Sequence, residues 1–487
     1  MDGVLPRKKE RRSHDRILAN QALSRTAGAP LIPGNDVTLL KNAAENYPAW
    51  LKAIQSARKT IYFECYIIRD DDQGNAFAEA LITKAKEGVK VRLMYDWLGA
   101  LGKTSHRYWR MLTENGIEVR CFNPPKFYEP FGWLSRDHRK VLCIDSCHGF
   151  VSGLCVGQPW VGDPAKGIDP WRDTGVEVRG PAVADIAHGF AESWATTGDR
   201  IPDEELLPRE GISAEGNISI RVVASIPNTG ALYRLDQLVA AIANETLWLS
   251  DAYFMGTSSY VQALCAAAVD GVDVRLLVPG ASDIGALVPF SRAGYRPLLE
   301  SGIRIFEWNG TMMHAKSAVA DGRIARVGSS NLNYASWLGN WEMDVIVEDE
   351  NFGHAMFEQY LEDLQNATEI VLNLRKRIRP AAAVSRKKIR GENRGSAGRV
   401  AAGAIRIGNT VGAAIANRRA LGPAEARVML MAGLVLAVLA ILTFVLPQLI
   451  AFPLAVISIW VAIVLLYKSW KLRKTHTEPP PPKKEIT

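Results

Sequence analysis

The sequence predicts an α/β protein built from two similar halves and followed by a pair of membrane-spanning helices. Three observations predict it. The phrase His138-Arg139-Lys140, four residues, then Asp145, returns 176 residues later as His314-Ala315-Lys316, four residues, then Asp321. Segments patterned as helix and strand alternate in the same order ahead of each copy. Two charge-free apolar runs of about 19 residues each, 428–446 and 449–467, approach the ~20 needed to cross a bilayer.

The repeat can be followed element by element. Strand-like segments at 60–68 and 246–254 come first. Glu79-Ala80-Leu81, then Gly88-Val89-Lys90-Val91-Arg92-Leu93, matches Gln262-Ala263-Leu264, then Gly271-Val272-Asp273-Val274-Arg275-Leu276. Each reads as a helix, a glycine stop and an apolar strand. Gly116-Ile117-Glu118-Val119 matches Gly302-Ile303-Arg304-Ile305, a further strand. The expected organisation is a basic arm (1–34), a first half (35–200), a linker (201–217) and a second half (218–373). A basic segment (374–427), a two-helix hairpin (428–467) and a basic, proline-rich tail (468–487) follow. The first half carries extra aromatic and proline-rich residues at 124–134, read either as a loop lining the site or as one packed on its own domain.

His and Lys two apart on a strand point to one face. Residues 312–320 are strand-like, and Asp321-Gly322 is a hairpin-turn signal, as Asp145-Ser146 is after residues 138–144. An imidazole suits nucleophilic or acid–base work near neutral pH. The neighbouring ammonium binds a phosphate oxygen as a point charge. A lone His-x-Lys is most simply a solvated strand; its return at a matching place in a second half argues for a paired site holding one phosphodiester.

The doubled motif, with Gly328-Ser329-Ser330-Asn331 after the second copy, resembles the phospholipase D superfamily, and within it the bacterial cardiolipin synthases. The resemblance covers roughly residues 35 to 370 and implies two α/β/α halves sharing one active site. It implies His138 as nucleophile and His314 as acid, then base, with Lys140 and Lys316 on the phosphoryl oxygens. It makes Asp173 and Glu342 the carboxylates supporting the imidazoles, with Ser329 and Asn331 in support. Asp145 and Asp321 are then more structural than chemical. One departure stands out: in Ser152-Gly153-Leu154-Cys155 a cysteine occupies the place of the family's Asn.

The implied reaction is phosphatidyl transfer to phosphatidylglycerol through a phosphohistidine, with phosphatidylethanolamine as a second candidate donor. It calls for no metal and no cofactor. The alternatives are a phospholipase D using water or another alcohol, a nuclease of the superfamily, and an inactive membrane scaffold. A bell-shaped pH–rate profile is expected, since one imidazole must be neutral and the other charged.

Charge separates these readings. The net +7 is uneven: about −12 over 21–373, about +12 over 374–427 and about +4 after 467. The catalytic part is therefore acidic, and no nucleic acid is expected as a partner. The basic segment suits an anionic membrane surface. Lys and Arg flank both apolar runs and are missing between them, which puts both termini and the catalytic part on the cytoplasmic side of a bacterial inner membrane. The basic N-terminus has no apolar stretch behind it and is not a secretory signal. Six cysteines in no disulfide spacing fit a reducing setting and read as small buried residues. The sequence leaves the oligomeric state open.

Overall fold

In the computed structural model, which describes residues 19–126, 134–283, 291–372, 378–380 and 423–475, one mixed sheet of sixteen strands organises the protein. The first seven are β1 (Ile32–Lys41), β2 (Thr60–Cys65), β3 (Lys90–Asp96), β4 (Glu118–Phe122), β5 (Lys140–Ile144), β6 (His148–Ser152) and β7 (Thr174–Arg179). Then come β8 (Ile218–Ser225), β9 (Thr246–Asp251), β10 (Asp273–Pro279), β11 (Arg304–Trp308), β12 (Lys316–Ala320), β13 (Ile324–Gly328) and β14 (Glu342–Glu348). The last two are β15 (Ala367–Leu372) and β16 (Ile378–Pro380).

Their order across the sheet is β4-β3-β2-β5-β6-β7-β1 and then β8-β14-β13-β12-β9-β10-β11-β15-β16. Read outward from β1 and β8, the two series match strand for strand through β4 and β11, after which the second adds β15 and β16. Both have a parallel trio, β2-β3-β4 and β9-β10-β11, and an antiparallel hairpin, β5-β6 and β12-β13. The repeat seen in the residues is thus a repeat in topology.

The series join where β1 pairs with β8, Ile32 opposite Ile220 and Asn35 opposite Ile218, with a bulge between. Buried Asn35 bridges this irregularity. Its amide donates to Ile32 O at 2.8 Å and its carbonyl accepts from the Ala182 amide at 2.9 Å. It replaces ladder bonds that a bulge removes.

Helices cover both faces. On the outer faces, α1 (Asn42–Ser56) and α2 (Asp72–Lys86) bury Trp50, Ile54, Phe77 and Leu81 against the first series. There, α4 (Ala231–Ile242) and α5 (Ser258–Val269) bury Leu235, Tyr260 and Leu264 against the second. The inner cluster belongs to both series. Phe190 and Trp194 of α3 (Val183–Ala195) and Phe352 and Met356 of α6 (Glu350–Gln365) pack among Tyr62, Val151 and Val176 from one series and Val327 and Val345 from the other. Burial of each such side chain contributes about 1.5–3 kcal/mol, so this shared core holds the two series together.

Several boundaries differ from expectation. The strands expected at 60–68 and 246–254 stop at Cys65 and Asp251; after the second, the Asp251 carboxylate turns the chain by accepting the Tyr253 amide at 2.9 Å. Residues 19–27, expected within a basic arm, are helical and place Leu23 and Ala27 in the second outer core. Most of the 124–134 loop and of the basic segment lies outside the described residues.

At the C-terminus, α7 (Pro423–Val445) and α8 (Pro447–Thr475) pack on one another. Pro447 opens α8, where its missing N–H is not needed. Pro453 lies inside α8 instead of marking the turn, and α8 runs on into the expected tail. Among the described residues no helix is long and apolar enough to cross a membrane. What the pair does present is exposed apolar surface, including Leu434, Val435, Phe444, Phe452, Ile459 and Leu466.

Replacing Asn35 with Ala should leave two buried backbone groups at the β1–β8 seam unsatisfied. We expect a loss of about 2 kcal/mol, read as a lower denaturant midpoint with unchanged slope.

Candidate active site

The two motif hairpins are close to identical. After β5, Asp145 and Ser146 take positive φ of 52° and 55°; after β12, Asp321 and Gly322 take 51° and 58°. The aspartate of each turn then accepts backbone amides from the start of the neighbouring strand. Asp145 takes those of Arg58, Lys59 and Thr60 at 2.7–2.8 Å. Asp321 takes those of Asn244, Glu245 and Thr246, the shortest at 2.8 Å. All their described bonds serve the backbone.

The histidines are not on the strands, as the 312–320 reading had them. His138 and His314 each lie two residues before β5 or β12 begins. Those residues leave their own ladder because they pair with the other series. The His138 amide donates to Trp341 O at 2.9 Å, and the Trp341 amide to Arg136 O at 2.8 Å. Reciprocally, the His314 amide donates to Arg172 O at 2.7 Å and the Arg172 amide to Met312 O at 2.9 Å. Each motif is therefore clamped beside the carboxylate segment of the opposite series.

This crossing decides the side-chain partners. His138 Nδ1 lies 3.0 and 3.1 Å from the two oxygens of Glu342, which starts β14. His314 Nδ1 lies 2.6 Å from Asp173 Oδ2, just before β7. Both carboxylates are fully buried. Glu342 also accepts from Ser329 Oγ at 2.5 Å and Asn340 Nδ2 at 3.3 Å. Asp173 also accepts from Trp160 Nε1 at 3.1 Å and the Thr174 amide at 2.9 Å. With Nδ1 engaged, each imidazole keeps Nε2 for chemistry.

Lys140 and Lys316 are both buried, and each Nζ donates to the backbone carbonyl of the histidine two residues earlier. Asn331, also buried, leaves its side-chain carbonyl oxygen without a hydrogen-bond partner among the described residues.

Electrostatics follows from burial. Desolvation, helped by the lysines and opposed by the carboxylates, lowers the pKa of both His138 and His314 to about 4. Burial pushes Asp173 and Glu342 up, but their histidine partners outweigh it and hold both below the usual carboxylate range. Burial lowers Lys316 to about 8, with Asp173 opposing. The resting pairs are thus carboxylate and neutral imidazole. A bound phosphodiester brings the negative charge that favours protonating one of them.

Residue patterning did not reveal the crossing of partners or the aromatic walls. Tyr66 sits edge-on to His138 with ring centres 5.0 Å apart; Trp160, Trp171 and Tyr253 surround His314 at 5.4–6.0 Å. It also passed over Arg139, inside the first motif. Its buried guanidinium donates to Glu342 O, Gly189 O and Ser225 O, tying the motif to both series.

The chain is also similar to known proteins. The family model described as "Cardiolipin synthase, PLD-like domain" matches residues 50–156 and 238–366. The chain is 33% identical to a cardiolipin synthase of Alkalihalophilus pseudofirmus over 351 residues, 71% of this chain and 69% of that one. It is 32% identical to cardiolipin synthase A of Pseudomonas aeruginosa over 364 residues, 74% and 73% of the two chains. Its fold is similar to that of a phosphatidylserine synthase from Haemophilus influenzae (TM-score 0.56, 14% identity), across 72% of this chain and 91% of that structure.

Three outcomes follow. Asp173→Asn should cut turnover by roughly 10²–10⁴-fold, as loss of an orienting carboxylate does elsewhere. It removes a charge that raises the pKa of His314. If His314 is the acid, the alkaline limb of the residual pH–rate profile therefore moves to lower pH. Glu342→Gln removes the corresponding charge at His138 and should move the acidic limb lower. Exchange of the two limbs would exchange the two histidines' roles. By contrast, Asp145→Ala should lower stability by about 2–3 kcal/mol in thermal or denaturant unfolding while the folded fraction keeps its turnover.

Proposed function

The chain belongs to the cardiolipin synthase family of phospholipase D-like phosphatidyltransferases, and on that footing we propose that it joins a phosphatidyl group to phosphatidylglycerol through a phosphohistidine on His138. The observation that carries this reading is the reciprocal pairing of His138 with Glu342 and His314 with Asp173, which leaves two oriented Nε2 atoms for one phosphodiester.

In the first step His138 Nε2 attacks phosphorus of a donor phospholipid. The bond from phosphorus to the headgroup oxygen breaks, and protonated His314 gives its proton to that oxygen. In the second, neutral His314 takes the proton of a phosphatidylglycerol hydroxyl. That oxygen attacks phosphorus, and the bond to His138 breaks. The product is cardiolipin, with glycerol released when phosphatidylglycerol is also the donor and ethanolamine when phosphatidylethanolamine is. Lys140 and Lys316 hold the non-bridging oxygens through both displacements. The exchange as a whole runs from one diester to another, divided into two displacements by the P–N bond to His138. Ser329 stiffens Glu342, while Asp145 and Asp321 fix the turns presenting the motifs.

Within this reading, residues 35–200 and 218–373 are the two catalytic halves, joined by 201–217. The α7–α8 pair is the membrane hairpin. Its exposed apolar side chains and the Lys and Arg flanking it support insertion into a bacterial inner membrane with the catalytic part cytoplasmic. Anchoring there raises the effective concentration of lipid at the site.

The test is a product assay on detergent-solubilised protein given phosphatidylglycerol, alone or with phosphatidylethanolamine, with lipids identified by mass spectrometry. Cardiolipin should form and should disappear in both His138→Ala and His314→Ala. Phosphatidic acid as the sole product would replace the transferase reading with a hydrolase.

A further inference from the structure

The two halves differ in charge at one matching place beside the site. The Arg69 amide, shortly after β2, donates to Val156 O at 3.0 Å, as the Met255 amide after β9 donates to Leu332 O at 3.1 Å. Arg69 and Met255 therefore correspond. Met255 is buried and packs with Tyr253 and Met312. The first half puts a cation where the second puts an apolar side chain.

That cation is unpaired. Among the described residues the half-buried Arg69 guanidinium makes no hydrogen bond and no ion pair, and its Nε is buried without a partner. The two aspartates that follow it are engaged elsewhere. Asp70 accepts Ser105 Oγ at 2.5 Å, and Asp71 accepts the amides of Gln73, Gly74 and Gln158 at 2.8–3.1 Å. Arg136, Arg172 and Arg292, on other connections between strands, are each bonded to a buried carboxylate, of Asp96, Asp363 and Glu307. A guanidinium whose inner N–H lacks an acceptor is a recognition group for an anion.

Its placement ties it to both histidines. Tyr66, three residues earlier, sits edge-on to His138. The stem of Arg69 lies along Gly157, where an added Cβ would come within 2.5 Å of Arg69 Cδ. Three residues after Gly157, Trp160 donates to Asp173 and stands 5.6 Å from His314 between ring centres. The stem thus runs beside the segment that walls His314, the imidazole that handles the leaving and incoming alcohols. Lys140 and Lys316 already serve the reacting phosphoryl group. Phosphatidylglycerol as acceptor brings a second phosphodiester, at the other end of the glycerol whose hydroxyl attacks.

We propose that Arg69 is the subsite for that second phosphate, holding the acceptor lipid by its own phosphodiester while its free hydroxyl meets His314. The planar fork suits two phosphate oxygens. It selects a phosphate-bearing alcohol over a neutral one, because only the former supplies the acceptor that the guanidinium lacks.

This rests on the transferase reading, and the test sets two lipid alcohols against each other in one reaction. Mixed micelles hold phosphatidylglycerol together with a monoacylglycerol, which presents a glycerol hydroxyl without phosphate. Mass spectrometry measures cardiolipin against the phosphatidyl-monoacylglycerol product, in the parent and in Arg69→Gln. The ratio does not depend on how much of a variant folds. Arg69→Gln should lower it about ten- to a hundredfold, the scale of a hydrogen bond to a charged group. Arg69→Lys keeps the charge, loses the fork and should fall between. An unchanged ratio, with both products persisting or both falling together, overturns the subsite and leaves the transferase reading in place. Should Arg69→Gln give neither product, the ratio in Arg69→Lys decides: lowered, it supports the subsite, and unchanged, it overturns it. A parent that makes no cardiolipin overturns both readings.

Discussion

The imidazole of each motif is oriented by a carboxylate from the other half, and the rest of the structure serves that exchange. His138 leans on Glu342 and His314 on Asp173, over separations of 204 and 141 residues. Neither half holds a complete site. The β1–β8 seam, the inner core shared by α3 and α6, and Arg139 all act to keep the two series in register. An error of even 1 Å there would fall on both pairs at once, where donors of 2.6–3.1 Å leave little slack.

The pairs are alike in plan and unlike in detail. Glu342 is longer and is braced by Ser329. Asp173 is shorter, and the residue in the place of Ser329 is Gly153, where an added Cβ would come within 2.1 Å of Asp173 Oδ1. Carboxylate length and the side chain facing it thus change together. Among the described residues, three aromatic rings wall His314 and one walls His138. A duplicated scaffold has given its two imidazoles different surroundings, which supports giving them different tasks.

Much of this was legible in the residues. The His-x-Lys spacing and the glycine stops before β3 and β10 are short-range signals, so the repeat and the motif residues could be read directly. Asp173 and Glu342 could be named only by resemblance. Their crossed assignment could not be read, because it depends on how the two series close on each other. The same holds for the strand starts: the patterning of 312–320 is continuous, but pairing across the halves pulls Met312–Ala315 out of the ladder. Cys155 was visible as a departure.

The crossed pairing is best tested by the ring nitrogens of His138 in isotopically labelled protein at neutral pH. Nitrogen chemical shifts should report a neutral ring with its proton on Nδ1. That tautomer should be disturbed by Glu342→Gln and left alone by Asp173→Asn. A ring already charged in the resting protein, or one that answers to Asp173 in its own half, would contradict the account.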